Sequence, residues 1–195
     1  MKFVVATKNQ KKLAELQRIL APLEAEVLSE EQLAAPLAEV EENADSFQGN
    51  ALLKARAAVK QTGYAAIADD SGLCVDYLNG APGTYSARYA GAGHDDAANN
   101  QKLLQALAGV PQNQRTAHYT CAVAVVFPNG QEFTVEGRCE GYIGLAPEGN
   151  GGFGYDPLFH SAAGCFGRLS AAQKDAVSHR GKALRLMAEE LKKYL

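Results

Sequence analysis

The stretch Thr116-Ala-His-Tyr-Thr-Cys-Ala-Val-Ala-Val-Val-Phe127 decides the fold class. It is apolar on both faces, so it predicts a strand near the centre of a sheet. Pro128-Asn129-Gly130 is a turn signal, and Glu132 to Tyr142 predicts a strand that pairs back as a hairpin. Towards the N-terminus, Tyr64 to Ala68 and Phe3 to Ala6 read as further buried strands, with a short one near Val27-Leu28. Between them the period changes to that of helices. Leu13, Leu16 and Leu20 mark one face of a helix that starts near Lys11, with Asn9 as its cap and Pro22 close to its end. A second helix starts at Asn43 or Ser46, buries Phe47, Ala51, Ala55 and Val59, and ends at Gly63. A third covers Asp96 to Leu107. The last uses Leu184, Met187, Ala188, Leu191 and Leu195, and Ser170 with Gln173 upstream resembles a capping box. Hairpins and crossovers together predict a mixed α/β chain around one sheet.

The chain has 195 residues, 47% of them hydrophobic and 21% charged. That is ordinary globular composition, and enough chain to bury a core without disulfides. The four cysteines, Cys74, Cys121, Cys139 and Cys165, form no CxxC pair and read as buried free thiols. The formal net charge of -3 argues against nucleic acid as the main ligand. The apolar run at the N-terminus is too short for a signal peptide, and no stretch approaches the ~20 residues of a membrane helix. A cytoplasmic protein with no membrane partner is the expectation.

Five segments carry candidate chemistry. Thr7-Lys8-Asn9-Gln10-Lys11-Lys12 joins a strand to a helix N-terminus, where backbone N–H groups and the helix dipole suit phosphate. Glu41-Glu42 precede Asn50 and Lys54, which lie four apart on one helix face. Asp69-Asp70-Ser71-Gly72 places two carboxylates at the end of an apolar strand, costly unless solvated or coordinated. A hard cation such as Mg²⁺ takes such oxygens, and Gly72 permits a turn that brings them together. Gly151-Gly152-Phe153-Gly154-Tyr155-Asp156-Pro157 sets aromatic rings and an acid among glycines, a design suited to stacking on a purine. Lys174 and Ser178-His179-Arg180-Gly181 offer donors for a carbonyl oxygen. Singly, each segment also reads as a solvated cap, a helix face, an acidic turn or an anchored loop.

Together the segments resemble the bacterial branch of the inosine triphosphate pyrophosphatase family. The matching stretches run in order from Thr7-x-Asn9-x-x-Lys12 through Phe47-x-x-Asn50-Ala51-x-x-Lys54-Ala55, Asp69-Asp70-Ser71-Gly72-Leu73 and Gly80-Ala81-Pro82-Gly83-x-Tyr85-Ser86-Ala87-Arg88-Tyr89 to Gly151–Pro157 and Ser178–Gly181. The resemblance implies an elongated mixed sheet flanked by helices, one domain over residues 1–195 with two lobes, and an active-site cleft between the lobes. It implies a homodimer that hydrolyses the unusual purine nucleoside triphosphates ITP, dITP and XTP to monophosphate and pyrophosphate with Mg²⁺. Under it, Thr7, Lys8, Asn9, Gln10, Lys11, Lys12 and Lys54 hold the phosphates and Ser71 touches the substrate. Asp70 activates the attacking water. Glu41 and Asp70 bind the metal, with Asp69 or Glu42 as further candidates. Phe153, Gly154, Tyr155, Asp156, Lys174, His179 and Arg180 form the base pocket. A septum-inhibition-type pyrophosphatase acting on pyrimidine or modified nucleotides, and a nucleotide sensor without turnover, are the competing readings.

Overall fold

The computed structural model describes residues 2–21 and 26–194, so Pro22 and Leu195 lie outside the described residues. In chain order the elements are β1 (Lys2–Val5), α1 (Gln10–Leu20), β2 (Glu26–Leu28), α2 (Phe47–Thr62), β3 (Ala65–Val75), α3 (Asp96–Ala106), β4 (Thr116–Val126), β5 (Glu132–Ile143), β6 (Phe159–Ser161), β7 (Gly164–Cys165), α4 (Ala171–Val177) and α5 (His179–Leu191). The strands form one sheet in the order β2-β1-β3-β4-β5-β6-β7. It is mixed: β1 runs parallel to β2 and β3, while β6 is antiparallel to β5 and β7.

Local chemistry sets the boundaries. The Asn9 side chain accepts from the Lys11 and Lys12 N–H groups and starts α1. Ser46 caps α2, and Gly63 closes it in the left-handed conformation. Ser170 and Gln173 form the expected capping box ahead of α4. The helix does not run on from there, because Ser178 is extended (ψ 157°) and α5 starts afresh at His179.

Two compact units make up the chain. The first contains residues 1–70, 121–137 and 180–195; the second contains 71–120 and 138–179. The first unit is layered by the period-2 alternation of its strands. Odd-numbered Ile67, Cys121, Val123 and Val125 pack with Leu13 and Leu16 of α1 and Leu184 and Met187 of α5. Even-numbered Ala66, Ala68, Ala124 and Val126 pack with Ala51, Ala55 and Ala58 of α2. The second unit has its own core, in which Leu73, Val75, Leu103, Leu107, Phe159 and Phe166 are buried.

One expectation is corrected. The Asp69–Gly72 segment is not a turn at a strand end. β3 runs straight through it to Val75, and residues 65–70, 72, 73 and 75 are buried. Gly72 therefore does not fold the two carboxylates towards each other. In an extended strand, successive side chains leave opposite faces of the sheet.

Candidate active site

The alternation that layers the first unit also divides the two aspartates. Asp69 follows the odd-numbered residues to the face covered by α1 and α5. There its Oδ2 lies 3.1 Å from Lys12 Nζ and 3.3 Å from Arg180 Nε. Arg180 also donates from Nη1 to Glu15, and all three of Glu15, Asp69 and Arg180 are at most 5% exposed. The Cys121 thiol approaches Asp69 Oδ2 at 4.0 Å. Burial, and then the Asp69 charge, push this thiol up to about 12, so it stays protonated. Burial alone would raise the Asp69 carboxyl as well. The Lys12, Arg180 and Lys54 cations outweigh it and hold Asp69 well below the usual carboxylate range.

Asp70 faces the other way, towards α2. Asn50, which is fully buried, donates from Nδ2 to Asp70 Oδ2 at 3.0 Å, and its Oδ1 accepts from the Ala44 N–H at 3.0 Å. Lys54 Nζ lies 3.9 Å from Asp70 Oδ1 and 2.9 Å from Glu42 Oε1. Burial dominates at Asp70 and lifts its carboxyl above the usual range, against the pull of Lys54, Lys12 and the Asn50 bond; Glu42 adds to the rise. Two adjacent and chemically identical residues thus differ in kind. Asp69 is held as an anion by its cations, while Asp70 binds a proton more readily than an ordinary carboxylate does.

Among the described residues, no three carboxylate, imidazole or thiol groups gather to hold a metal ion on their own. A hard cation that keeps its waters and shares phosphate oxygens needs only one or two carboxylates. Asp70 and Glu42, which share the Lys54 ammonium, offer two such carboxylates. Glu41, the sequence neighbour of Glu42, is exposed. Asp69 is paired with Lys12 and Arg180.

The start of α1 is more self-contained than the sequence reading supposes. Thr7 Oγ1 accepts from Asn9 N–H at 3.2 Å, and Asn9 Oδ1 takes the Lys11 and Lys12 amides. Lys8 pairs with Glu39 and Gln10 bonds Glu31, both on the surface, and Lys11 is exposed. Within this segment the structure brings Lys12 to the aspartates.

The second unit assembles the other predicted group. Lys174 is buried, donates to Asp156 Oδ2 at 2.7 Å and lies 4.4 Å over the Phe153 ring. The Phe153 N–H donates to the same oxygen at 2.9 Å. Gly152 is required here: its φ is +73°, and a Cβ would lie 2.0 Å from Asp156 Oδ2. The His179 ring stacks on Tyr119, centroids 4.4 Å apart and 7° from parallel. Tyr155 is an anchor, buried and donating to the Ser86 carbonyl at 2.7 Å. Burial, then Tyr89 and Asp96, push its phenol up, so it remains a donor. Ser71 is half-buried in β3. The sequence reading placed Arg180 with the base donors, whereas the structure holds its guanidinium on Glu15 and Asp69.

Glu15, Tyr119 and the Asn50–Asp70 bond were missed. Glu15 had a signal: it sits between Leu13 and Leu16 on a buried helix face, where a carboxylate demands a cation. Tyr119 had none, being one more ring in an apolar strand.

A profile of the Ham1 family matches residues 3–190. A dITP/XTP pyrophosphatase of Desulforamulus reducens is 50% identical over 193 residues, covering 98% of this chain and 96% of the relative. One of Geobacter sulfurreducens is 47% identical over 192 residues, covering 97% and 96%. The solved structure of a HAM1 protein from Coxiella burnetii superimposes with a TM-score of 0.89 at 38% identity and covers 99% of both chains. The mixed sheet, the ordered motifs and these full-length matches agree, and the chain belongs to the Ham1 family.

Proposed function

We infer that the protein hydrolyses ITP, dITP and XTP to the monophosphate and pyrophosphate, clearing them from the nucleotide pool. The observation that carries this reading is the division of the Asp69–Asp70 pair. Asp70, which faces Asn50 and Lys54, takes the proton of the water that attacks the α-phosphorus. The bond to the bridging oxygen breaks, and pyrophosphate leaves with the electron pair. Lys12 and Lys54 supply positive charge to the phosphate chain. Asp69, neutralised by Lys12 and Arg180, keeps those cations in place. Relatives of nearly equal length named dITP/XTP pyrophosphatases support the substrate class.

Asp70 with Glu42 or Glu41 would hold Mg²⁺, which when bound supplies positive charge against the phosphate oxygens. We assign the base to Phe153, Gly154, Asp156, Lys174 and His179, with Phe153 offering a ring to stack on. ITP and XTP carry a carbonyl at position six, where ATP carries an amine. Lys174 and His179 are donors that pair with the first and not with the second. Sites built this way reject the unmatched analogue by about 10⁴-fold.

The test is pyrophosphate release from ITP, dITP, XTP, GTP and ATP, each with and without Mg²⁺. ITP and XTP should lead ATP by at least about 10³-fold in kcat/KM, and turnover should vanish with chelator. Equal rates on ITP and ATP would refute the donor assignment. The protein is also proposed to act in the cytoplasm as a homodimer; a monomer mass in sedimentation equilibrium would refute the latter. Among the described residues, no helix is long and apolar enough to cross a membrane.

A further inference from the structure

The two peptides that flank Gly154 are held by side chains of α3. Asp96 Oδ2 accepts from the Gly154 N–H at 2.8 Å, and Asn100 Nδ2 donates to the Gly154 carbonyl at 2.8 Å. The same Asn100 nitrogen donates to the Asp96 backbone carbonyl one helical turn back at 2.8 Å, which holds the Asn100 side chain against the first turn of α3. Asp95 caps this helix through the Ala98 N–H, which leaves Asp96 free of the capping role. Gly154 has φ +61°, a conformation that glycine enters without a steric penalty and also leaves easily. Nothing in the backbone of such a residue fixes which way its two flanking peptides point. On the other side, Asp156 is fixed by Lys174 and by the Phe153 N–H.

We propose that Asp96 and Asn100 are positioning residues that set base selectivity by locking the two peptides that flank Gly154, and with them the aim of the Phe153 ring and the Asp156 carboxylate. This rests on the reading of 153–156 as the base loop. Neither residue touches the substrate. A bond from an amide to a carboxylate contributes more than a neutral one, so Asp96 is the stronger half of the clamp.

The test measures kcat and KM on ITP and ATP for Asp96→Ala, Asp96→Asn and Asn100→Ala, with circular dichroism and melting temperature alongside. In Asp96→Ala, KM for ITP should rise about tenfold and the ITP:ATP ratio of kcat/KM should fall about tenfold, as expected for one charged hydrogen bond. Its kcat on ITP should stay within about threefold, because the phosphate-binding residues are untouched. Asp96→Asn keeps an oxygen acceptor of the same shape and should restore KM and the ratio to within about threefold. Asn100→Ala should repeat the Asp96→Ala pattern. A tie that merely stabilised the loop would lower the melting temperature and slow both substrates alike. An ITP:ATP ratio unchanged in Asp96→Ala overturns the proposal, whether or not Asn100→Ala folds. Asp156→Asn separates the causes: if it shifts the ratio while Asp96→Ala does not, the base loop stands and the clamp alone falls. If it also leaves the ratio unchanged, the base-loop reading falls too.

Discussion

Asp70→Asn should lower turnover on ITP by about 10³-fold, the range expected for removing a general base, while the protein keeps its fold and its melting temperature at pH 7. The substitution is isosteric and leaves an oxygen to accept from Asn50. What it removes is the ability to take a proton from water. The stability half of the expectation follows from linkage. Asp70 has a raised folded-state pKa, so the folded protein binds its proton more tightly than the unfolded chain does. Its contribution to stability therefore falls as pH rises through that window, and at neutral pH the ionised group is a net cost to folding. Asparagine removes that cost, so Asp70→Asn melts no lower than the parent at pH 7, and the difference shrinks as pH falls below the ordinary carboxylate range. Such a cost is typical of groups kept for chemistry rather than for stability. Pyrophosphate release and calorimetry at pH 7 and pH 4 measure both halves. A variant with near-parental turnover would refute the role of Asp70.

Arg180→Ala should have the opposite signature, a large loss of stability. Arg180 is 2% exposed and serves two buried carboxylates, Glu15 and Asp69. Removing one partner of a buried ion pair costs about 3–5 kcal/mol, because the charges left behind are still desolvated. In a chain of this size that lowers the melting temperature by about 10 °C. Arg180→Lys keeps a charge but loses the fork that reaches both acids, and should fall between. The pH dependence carries the sign of Asp69. Its folded-state pKa is depressed, so its stabilisation is fully present above the ordinary carboxylate value and is lost as pH falls below it. Arg180 is one of the cations that depress it, so the acid limb of the stability curve should be shallower in Arg180→Ala. A melting temperature within about 2 °C of the parent would contradict the figure for a buried pair.

Much of this was legible locally. Asn9, Ser46, Gly63 and the Ser170–Gln173 pair act within a few residues of themselves, and each stands at the boundary expected of it. The central β4 was legible because both of its faces are apolar. β6 and β7, three and two residues long, are too short to show a period, and they exist because β5 offers an edge to β6 and β6 offers one to β7. The course of β3 through two aspartates was misread for a sound reason, since acids disfavour strands. Burial against α1, α2 and α5, with a cation waiting on each face, overrides that preference.

By itself, then, the sequence determined the longer strands and helices, the roster of charged and glycine-bounded segments, and the family they resemble. Only the tertiary structure decided what each charge is for. Asp69 and Asp70 are the same residue twice, and nothing local separates them. A strand sends successive side chains to opposite faces, and helices far apart in the chain put Lys12 and Arg180 on one face and Asn50 and Lys54 on the other. The energy of a buried charge depends on the partner within a few ångströms, and that partner is chosen by packing across 111 residues of chain for Arg180 and Asp69.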